Sequence, residues 1–589
     1  MFDRTTWIAL TLSIAGLIGW QWYYTKNCLP AMAAQRVSQE TTVQPASATT
    51  AAADANYHGE ASAKEGDSPK ADDSSVPQLE VRRATLDSPK AEYLFTDDAG
   101  GIENITLFIH LGEQSHSLQL NKFSPTPIGA LEEHPGKPLK GFVMTTDNVS
   151  EKASFQRAET NGLIITKLFS LPETTGSPEE YLIGLDLTFN NSSNMPLDVP
   201  SYFLSAGGAT PVHSSDAPLY TCFDWFSKER MTSIDVNWFS AGSIPLIGIQ
   251  TRPARNLYEM NSAEIPWTAV ASQYFCTILN DQEKTASSVW ASRFEAIPAV
   301  ETANGRPVYG IEGGLHLTPL HLAPGESITR HYSIFAGPKD FFALQKLGNG
   351  QQSVMNFGVF HLVSEFLLWA MNLLKGLLGN YAAAIIVLTL LIKSFLWPIQ
   401  NKATTSMRRM QLLSPRMTEL RTKYKENPTK MNEELMKLYK QYGVNPFGGC
   451  LPMIVQIPIF FGFYRMLGTA IELRNSHFLW ITDLSQPDTI AYFMHYPINL
   501  LPIIMAGTMV WQMTLSPKGG DPSQQKMMYI MPIVFLAICY NFASALALYW
   551  TTQNIFSIAQ LYFTRNQPLP TLEKKVAPSK KTRFKKTKG

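Results

Sequence analysis

The sequence predicts an α-helical polytopic membrane protein of six transmembrane helices, with a large extracytoplasmic all-β sandwich domain and a cytoplasmic helical hairpin. Three observations predict it. Hydrophobic residues make up 45% of the 589 positions and charged residues only 16%, unlike an ordinary soluble enzyme. The charges are unevenly spread: they are dense from Asp54 to Lys346 and from Lys402 to Lys440, yet nearly absent from three later stretches of about twenty residues or more, the length of a bilayer-crossing helix. Their sign is also segregated. Residues 28–350 hold 22 Lys plus Arg against 37 Asp plus Glu, a net of −15, while residues 401–448 hold 10 against 4 and residues 564–589 hold 9 against 1. Basic loops stay in the cytoplasm and acidic domains cross freely, so the acidic block belongs outside and the basic ones inside.

The first element, within residues 1–27, is the uncharged run Trp7–Tyr24, an anchor with Trp20, Trp22, Tyr23 and Tyr24 gathered at one end as at a membrane interface. A cleaved signal peptide is the competing assignment, because Ala31-Met32-Ala33 has the A-x-A form. Residues 28–89 are rich in Ala, Ser, Thr, Asp, Glu and Gln and offer little to bury, which makes them a flexible tether. Residues 90–350 contain short runs such as Glu92–Phe95, Gly162–Thr166, Tyr181–Leu187 and Ile244–Ile249, set off by Gly, Pro and Asn-Asn turns; a β-sandwich follows. Cys222 and Cys276 both fall there, and an oxidising compartment allows them to pair.

Residues 351–380 read as one amphipathic helix, with His361, Glu365, Asn372 and Lys375 in a narrow polar strip. A crossing here would put the basic loop outside, so this helix is interfacial. Five spans follow, at about 381–399, 448–471, 496–515, 527–541 and 543–563. The last two come from one uncharged run, Met527–Phe563, whose 37 residues would reach about 55 Å as a single helix, so it must break near Asn541-Phe542-Ala543-Ser544. The loop 401–445 holds two charged helical stretches, Thr405–Tyr424 and Asn432–Tyr442, parted by Glu426-Asn427-Pro428. Residues 564–589 form a basic cytoplasmic tail, which suits contact with anionic lipid or ribosomal RNA but equally a solvated topogenic segment, and gives no reason to expect DNA.

Enzyme signatures are missing: the chain has no H-E-x-x-H, no G-x-S-x-G, no Walker glycine loop and no acidic pair inside a span. Nor do Cys28, Cys222, Cys276, Cys450 and Cys539 have metal-ligand spacing. What stands out is Lys393, a cation inside a hydrophobic span, where its placement costs at least ~2.5 kcal/mol. It lies 12 residues after Tyr381 and 6 before Ile399, about 18 Å and 9 Å along a helix. Snorkelling to the interface is the bland account. Against it, Thr389 stands one turn away, and Gln456, Asn541, Gln553 and Asn554 supply polar side chains from other spans, enough to line a wet cavity.

The segment Asn445-Pro446-Phe447-Gly448-Gly449-Cys450-Leu451-Pro452-Met453-Ile454-Val455-Gln456-Ile457-Pro458 resembles the N-P-x-G-G-C-x-P-x-x-x-Q-x-P signature of the YidC/Oxa/Alb family of membrane insertases. Pro446, Gly448 and Gly449 suit a turn entering the membrane, and Pro452 and Pro458 loosen the helix that follows. The resemblance extends over essentially the whole chain, through Glu472-Leu473-Arg474, Asp521–Lys526 and Leu548-Tyr549-Trp550, and is to the Gram-negative branch with a large periplasmic β-supersandwich.

That resemblance implies a bacterial inner-membrane insertase with both termini cytoplasmic and no nucleotide, metal or other cofactor. It implies a hydrophilic groove, open to the cytoplasm and to lipid, through which newly synthesised membrane proteins are inserted and helped to fold. Its partners would be nascent membrane proteins, lipids, the Sec translocon and the ribosome, the last through the cytoplasmic loop and tail. Lys393 matches the family's groove cation, commonly arginine; Thr389, Phe460, Tyr549 and Trp550 match substrate-contacting positions, and Gln456 falls in the signature. Lysine keeps the charge but loses the planar fork. A small-solute transporter is the rival from another class, but no inverted repeat supports it.

Overall fold

The computed structural model describes residues 81–565, except for short internal segments at 110–115, 146–151, 174–175, 177, 214–215, 244–249, 263, 303–304, 445–450, 495 and 517–521. The expected anchor Trp7–Tyr24, nearly all of the tether, the run Ile244–Ile249, the turn residues Asn445, Pro446, Gly448, Gly449 and Cys450 and the tail from residue 566 lie outside the described residues.

The tether was expected to reach residue 89, but Arg83–Asp87 is already a strand, paired antiparallel with Ala91–Thr96. One core-facing side chain accounts for this: Leu86 is fully buried, and Arg83 is held by Glu103 at 2.6 Å. These strands belong to a four-stranded sheet that packs beside two larger ones, of nine and six strands. The nine-stranded sheet runs, edge to edge, through Arg230–Asp235, Cys222–Ser227, Trp267–Ala271, Phe275–Asp281, Ser327–Pro338, Leu182–Asn191, Leu163–Ser170, Lys152–Ala158 and Val143–Met144.

Burial alternates along some strands, while others, such as Trp267–Ala271, are buried on both faces. Along Leu163–Ser170 every second residue is buried, so one face reaches a shared core while the other does not. Phe95, Phe155 and Phe169 meet inside it with ring centroids 5.1–6.0 Å apart. Cys222 and Cys276 are both free. Each pairs with Ala271, from opposite sides, so they stand two strands apart. At about 4.8 Å per strand their backbones are ~10 Å apart, beyond the reach of a disulfide.

The C-terminal half is helical. Its elements are α1 (Phe341–Lys346), α2 (His361–Leu378), α3 (Tyr381–Lys423), α4 (Pro428–Tyr442), α5 (Leu451–Thr469), α6 (Leu500–Leu515), α7 (Pro522–Cys539) and α8 (Ser544–Arg565). The single amphipathic helix expected over 351–380 is shorter. Gln351–Met355 and Gly358–Phe360 are 3₁₀ turns, separated by Asn356 in the left-handed region, and the α-helix begins only at His361. It stops at Gly379, whose φ of 76° is the left-handed cap, and α3 starts at once because the Asn380 side chain accepts from the amides of Ala382 and Ala383.

Two further boundaries differ from expectation. The helix that carries the span expected at 381–399 runs on past it: α3 continues unbroken for 43 residues through Pro398 and Pro415, into the stretch expected as a separate helix at Thr405–Tyr424. The last turn of α8 lies alongside and holds it, with Gln560 donating to Asn401 at 3.3 Å and Arg408 to the Thr564 carbonyl at 2.6 Å. Beyond that point α3 pairs with α4 through Leu413, Met417, Leu435, Leu438 and Tyr442. The span expected over 496–515 begins instead as a β-strand, Tyr496–Asn499, and turns helical only at Leu500. The run 527–563 leaves helix at Tyr540–Ala543, where carbonyls of Leu484 and Gln486 take the first amides of α8.

The sandwich is seated on the helices by specific contacts. Gln273 donates to the Gly468 carbonyl at 2.8 Å, the Tyr274 hydroxyl to the Ser485 carbonyl at 3.3 Å, and Arg474 lies 5.3 Å over the Phe275 ring. Gly468 leaves room for this approach, since a Cβ there would meet the Tyr220 hydroxyl at 2.6 Å and displace it.

Candidate functional site

Three helices converge on Lys393. From α3 come Lys393, Leu396, Ile399 and Gln400; from α5, Val455 and Gln456; from α8, Gln560. Together they line a narrow cleft of about 10 Å³, the lower limit for holding a single water. Lys393 makes no hydrogen bond or ion pair among the described residues, and the cleft it lines is shared with the amide side chains of Gln400, Gln456 and Gln560. Offsets of 3 and 4 put Lys393, Leu396 and Gln400 on one face of α3.

The expected polar neighbours divide among different places. Thr389 is 1% exposed and bonds the Ile385 carbonyl of its own helix at 2.7 Å, so its hydroxyl is already committed one turn from Lys393. Gln456 Nε2 donates to the Tyr549 hydroxyl at 3.0 Å and to Gln553 Oε1 at 3.1 Å, joining α5 to α8 beside the cleft. Asn554 faces α6 instead, donating to Thr508 Oγ1 at 3.1 Å. Asn541 is exposed at the turn between α7 and α8.

The expected aromatic contacts also separate into two kinds. The Tyr549 ring is core, 2% exposed and stacked on Phe463 at 4.2 Å, so only its hydroxyl reaches the polar set. Phe460 meets Trp550 at 4.8 Å, and Trp550 meets Phe535 at 4.7 Å, giving a half-buried aromatic row contributed by α5, α8 and α7. Pro458 lies inside α5, and Pro452 falls in its first turn.

Gln400 and Gln560 were not singled out from sequence. The signal was available: Lys393 and Gln400, like Gln553 and Gln560, are seven residues apart, two turns along one face of a helix. Polar residues repeating at seven in apolar helices mark faces that meet.

The outer surface of the bundle is apolar. Phe395 is 83% exposed, Ile454 60%, Trp511 57%, Ile533 67% and Phe563 70%, one from each of α3, α5, α6, α7 and α8. On α2 the exposed stripe is Leu362, Phe366, Trp369, Leu373 and Leu377, at offsets of 4, 3, 4 and 4. Exposed apolar surface this extensive marks contact with lipid or protein. Among the described residues α3 is long and apolar enough to cross a membrane, and shorter apolar helical stretches occupy Ile454–Thr469, Leu500–Leu515 and Ile530–Cys539.

Comparison with known proteins gives matches over both halves. Residues 138–370 match the family model described as YidC periplasmic domain, and residues 373–570 match that described as 60Kd inner membrane protein. The membrane protein insertase YidC of Syntrophus aciditrophicus (strain SB) is 30% identical over 96% of this chain and 100% of its own length. That of Geobacter sulfurreducens is 38% identical over 52% of this chain and 54% of its own. Among solved structures, an active YidC insertase crystal structure with the first transmembrane domain resolved is 20% identical, with 82% of this chain and 94% of that one covered, at a TM-score of 0.33.

Proposed function

This chain belongs to the YidC family of membrane protein insertases and inserts membrane proteins, and we propose that the Lys393 cleft is where it receives them. The observation that carries this is a lysine without an ion-pair partner among the described residues, lining a cleft with three glutamines inside otherwise apolar helices. A structural lysine at such a depth is costly and has a neutralising partner in most proteins. Here the partner is the client. A polar or acidic segment on its way across gains at Lys393, Gln400, Gln456 and Gln560 part of the solvation it loses with water, while its apolar segment moves along Phe460, Trp550 and Phe535 into lipid. Thr389 and Tyr549 act behind that surface, through helix packing and through Gln456.

In this scheme the chain makes six crossings of the bacterial inner membrane: the N-terminal anchor, the first half of α3, then α5, α6, α7 and α8. Both termini and the α3–α4 hairpin are cytoplasmic, and the sandwich is periplasmic. The signature turn Asn445, Pro446, Gly448, Gly449 and Cys450 leads into α5. Protease added to spheroplasts should cut the sandwich and spare residues 401–444; the opposite pattern removes this topology. Nascent chains are the clients, the Sec translocon a companion for some of them, and the ribosome docks at the basic hairpin and tail. Crosslinking from α4 during translation should yield ribosomal adducts, and their absence removes that contact.

The cleft is tested by Lys393→Ala against two clients that differ only in acidic residues of the translocated segment. Opposite charges about 5 Å apart gain roughly 3 kcal/mol at an effective dielectric of 20, up to about a hundredfold, and water in the cleft lowers it. Insertion of the acidic client should fall far more than that of its neutral twin, with Lys393→Arg close to wild type. Equal loss for both, or for neither, overturns the electrostatic role.

A further inference from the structure

The segment between α5 and α6 is folded, and it exposes more apolar surface than its packing explains. Thr489–Phe493 and Tyr496–Asn499 form a two-stranded antiparallel hairpin. Its tip residues Tyr492, Phe493, Met494 and Tyr496 are 73%, 64%, 75% and 77% exposed. Neighbouring residues of a strand point to opposite faces, so the tip is bare on both sides. No Asp, Glu, Lys or Arg occurs from Thr489 to Leu515.

The base of the hairpin, by contrast, is fixed. Asn499 is fully buried; its Nδ2 donates to the Tyr540 carbonyl at 2.7 Å, and its Oδ1 accepts from the Thr489 hydroxyl at 2.7 Å. The Tyr540 hydroxyl donates to the Pro497 carbonyl at 2.7 Å. Asp488 Oδ2 accepts from the Leu501 amide at 2.6 Å, at the start of α6, and from Trp480 Nε1 at 3.0 Å. A lone two-stranded hairpin is marginal in water, but this one is clamped to the ends of α6 and α7. The exposed aromatic residues Tyr492, Phe493 and Tyr496 are therefore held away from the packed interior.

Helix length says what meets it. The 16 residues of α6 span about 24 Å, some 6 Å short of a hydrocarbon core of about 30 Å. The hairpin continues directly from α6, carries no full charge, and is rich in the aromatic residues that favour the headgroup level. We propose that Thr489–Asn499 is a membrane-interface anchor, its tip residues Tyr492, Phe493, Met494 and Tyr496 seated among the lipid headgroups of the outer leaflet. This rests on α6 crossing the bilayer. A lipid interface wets both faces of a bare hairpin, and the tip carries no Asp, Glu, Lys or Arg to specify a protein partner, its one residue that titrates near neutral pH being His495. Through Tyr540, and through the Leu484 and Gln486 carbonyls that take the first amides of α8, the anchor fixes the depth of the helix that carries Trp550, Gln553 and Gln560.

The test places a fluorescent probe at Met494→Cys, and separately at Val510→Cys on the exposed side of α6, in the full chain with its own cysteines changed to alanine. The protein is reconstituted in phosphatidylcholine–phosphatidylglycerol vesicles carrying nitroxides at the headgroup or deep in the acyl chain. The expected result is quenching at 494 mainly by the headgroup nitroxide and at 510 mainly by the deep one, with loss of the former when Tyr492→Asp and Phe493→Asp are added. Quenching at 510 without quenching at 494 overturns the anchor and leaves the crossing intact. Quenching at neither site overturns both. A 494 probe shielded in native membranes but unquenched in lipid vesicles marks a protein partner and also overturns the anchor.

Discussion

The Gln456 amide nitrogen lies 3.0 Å from the Tyr549 hydroxyl, and this contact joins the signature-bearing helix α5 to α8. The same nitrogen reaches Gln553, one turn further along α8. Since the Tyr549 ring is stacked in the core, its hydroxyl has little freedom to find another partner.

A double-mutant cycle measures that link. Gln456→Leu leaves the Tyr549 hydroxyl without its partner, whereas Tyr549→Phe removes the hydroxyl together with the need for one. Interhelical hydrogen bonds within membranes average about 0.6 kcal/mol and reach about 1.7. The thermal midpoint of Gln456→Leu in detergent should fall below wild type, and adding Tyr549→Phe should cost little more. Fully additive losses would show that the two residues do not act on each other.

How much of this was legible beforehand differs between the halves. The strand Leu163–Ser170 was legible only in part, as the apolar run Gly162–Thr166 between turn residues; its alternation of burial was not, because Lys167 stands on the buried face beside Ile165 and Phe169 while Ile164 and Leu168 face the other way. Length alone required 527–563 to divide, and the chain leaves helix at Tyr540–Ala543. The charge of Lys393 drew attention because it is rare in such a segment. What local pattern could not carry was tertiary support. Nothing near Asn401 announces that Gln560 and the Thr564 carbonyl, about 160 positions away, hold the helix unbroken. Nor does Tyr496–Asn499, apolar like the helix after it, announce a strand, because its pairing with Thr489–Phe493 is fixed by Asn499 and Tyr540. The cysteine pair shows the same limit, since only register puts Cys222 and Cys276 on either side of Ala271.

The sandwich should also respond to pH through Glu132. It is fully buried, and its carboxyl is pushed up to about 8, first by burial and then by the neighbouring Glu312. One oxygen accepts from the Gly136 amide at 2.7 Å, while the other has no partner among the described residues. A folded-state value above the unfolded 4.5 means that the folded chain binds the proton more tightly. The stabilisation from the protonated carboxyl is therefore full below about pH 4.5 and is lost as pH rises towards 8. Glu132→Gln keeps an acceptor for Gly136 and removes the titration. Its thermal midpoint should match wild type near pH 5 and exceed it by several degrees at pH 8. A pH-independent difference would show that Glu132 does not titrate in that window.

The last prediction separates the sandwich from the cleft. Every residue assigned to the cleft lies after Tyr381, so deleting residues 81–330 should leave insertion largely intact. The boundary matters for a structural reason. Phe341, Met355 and Phe357 are buried in the same apolar cluster as Leu388 of α3 and Phe463 of α5, so a deletion that ran on through them would strip the helical core itself. Stopping at 330 keeps them, but it still removes Gln273 and Tyr274 from the Gly468 and Ser485 carbonyls and Phe275 from Arg474. Those carbonyls become accessible to water once the sandwich is gone, so each lost bond is exchanged and costs about 0.5–1.5 kcal/mol. The shortened chain should therefore melt several degrees lower yet still insert a neutral client in proteoliposomes. If it stays folded and correctly oriented but inserts nothing, the sandwich is part of the insertion mechanism, and the Lys393 cleft alone does not suffice.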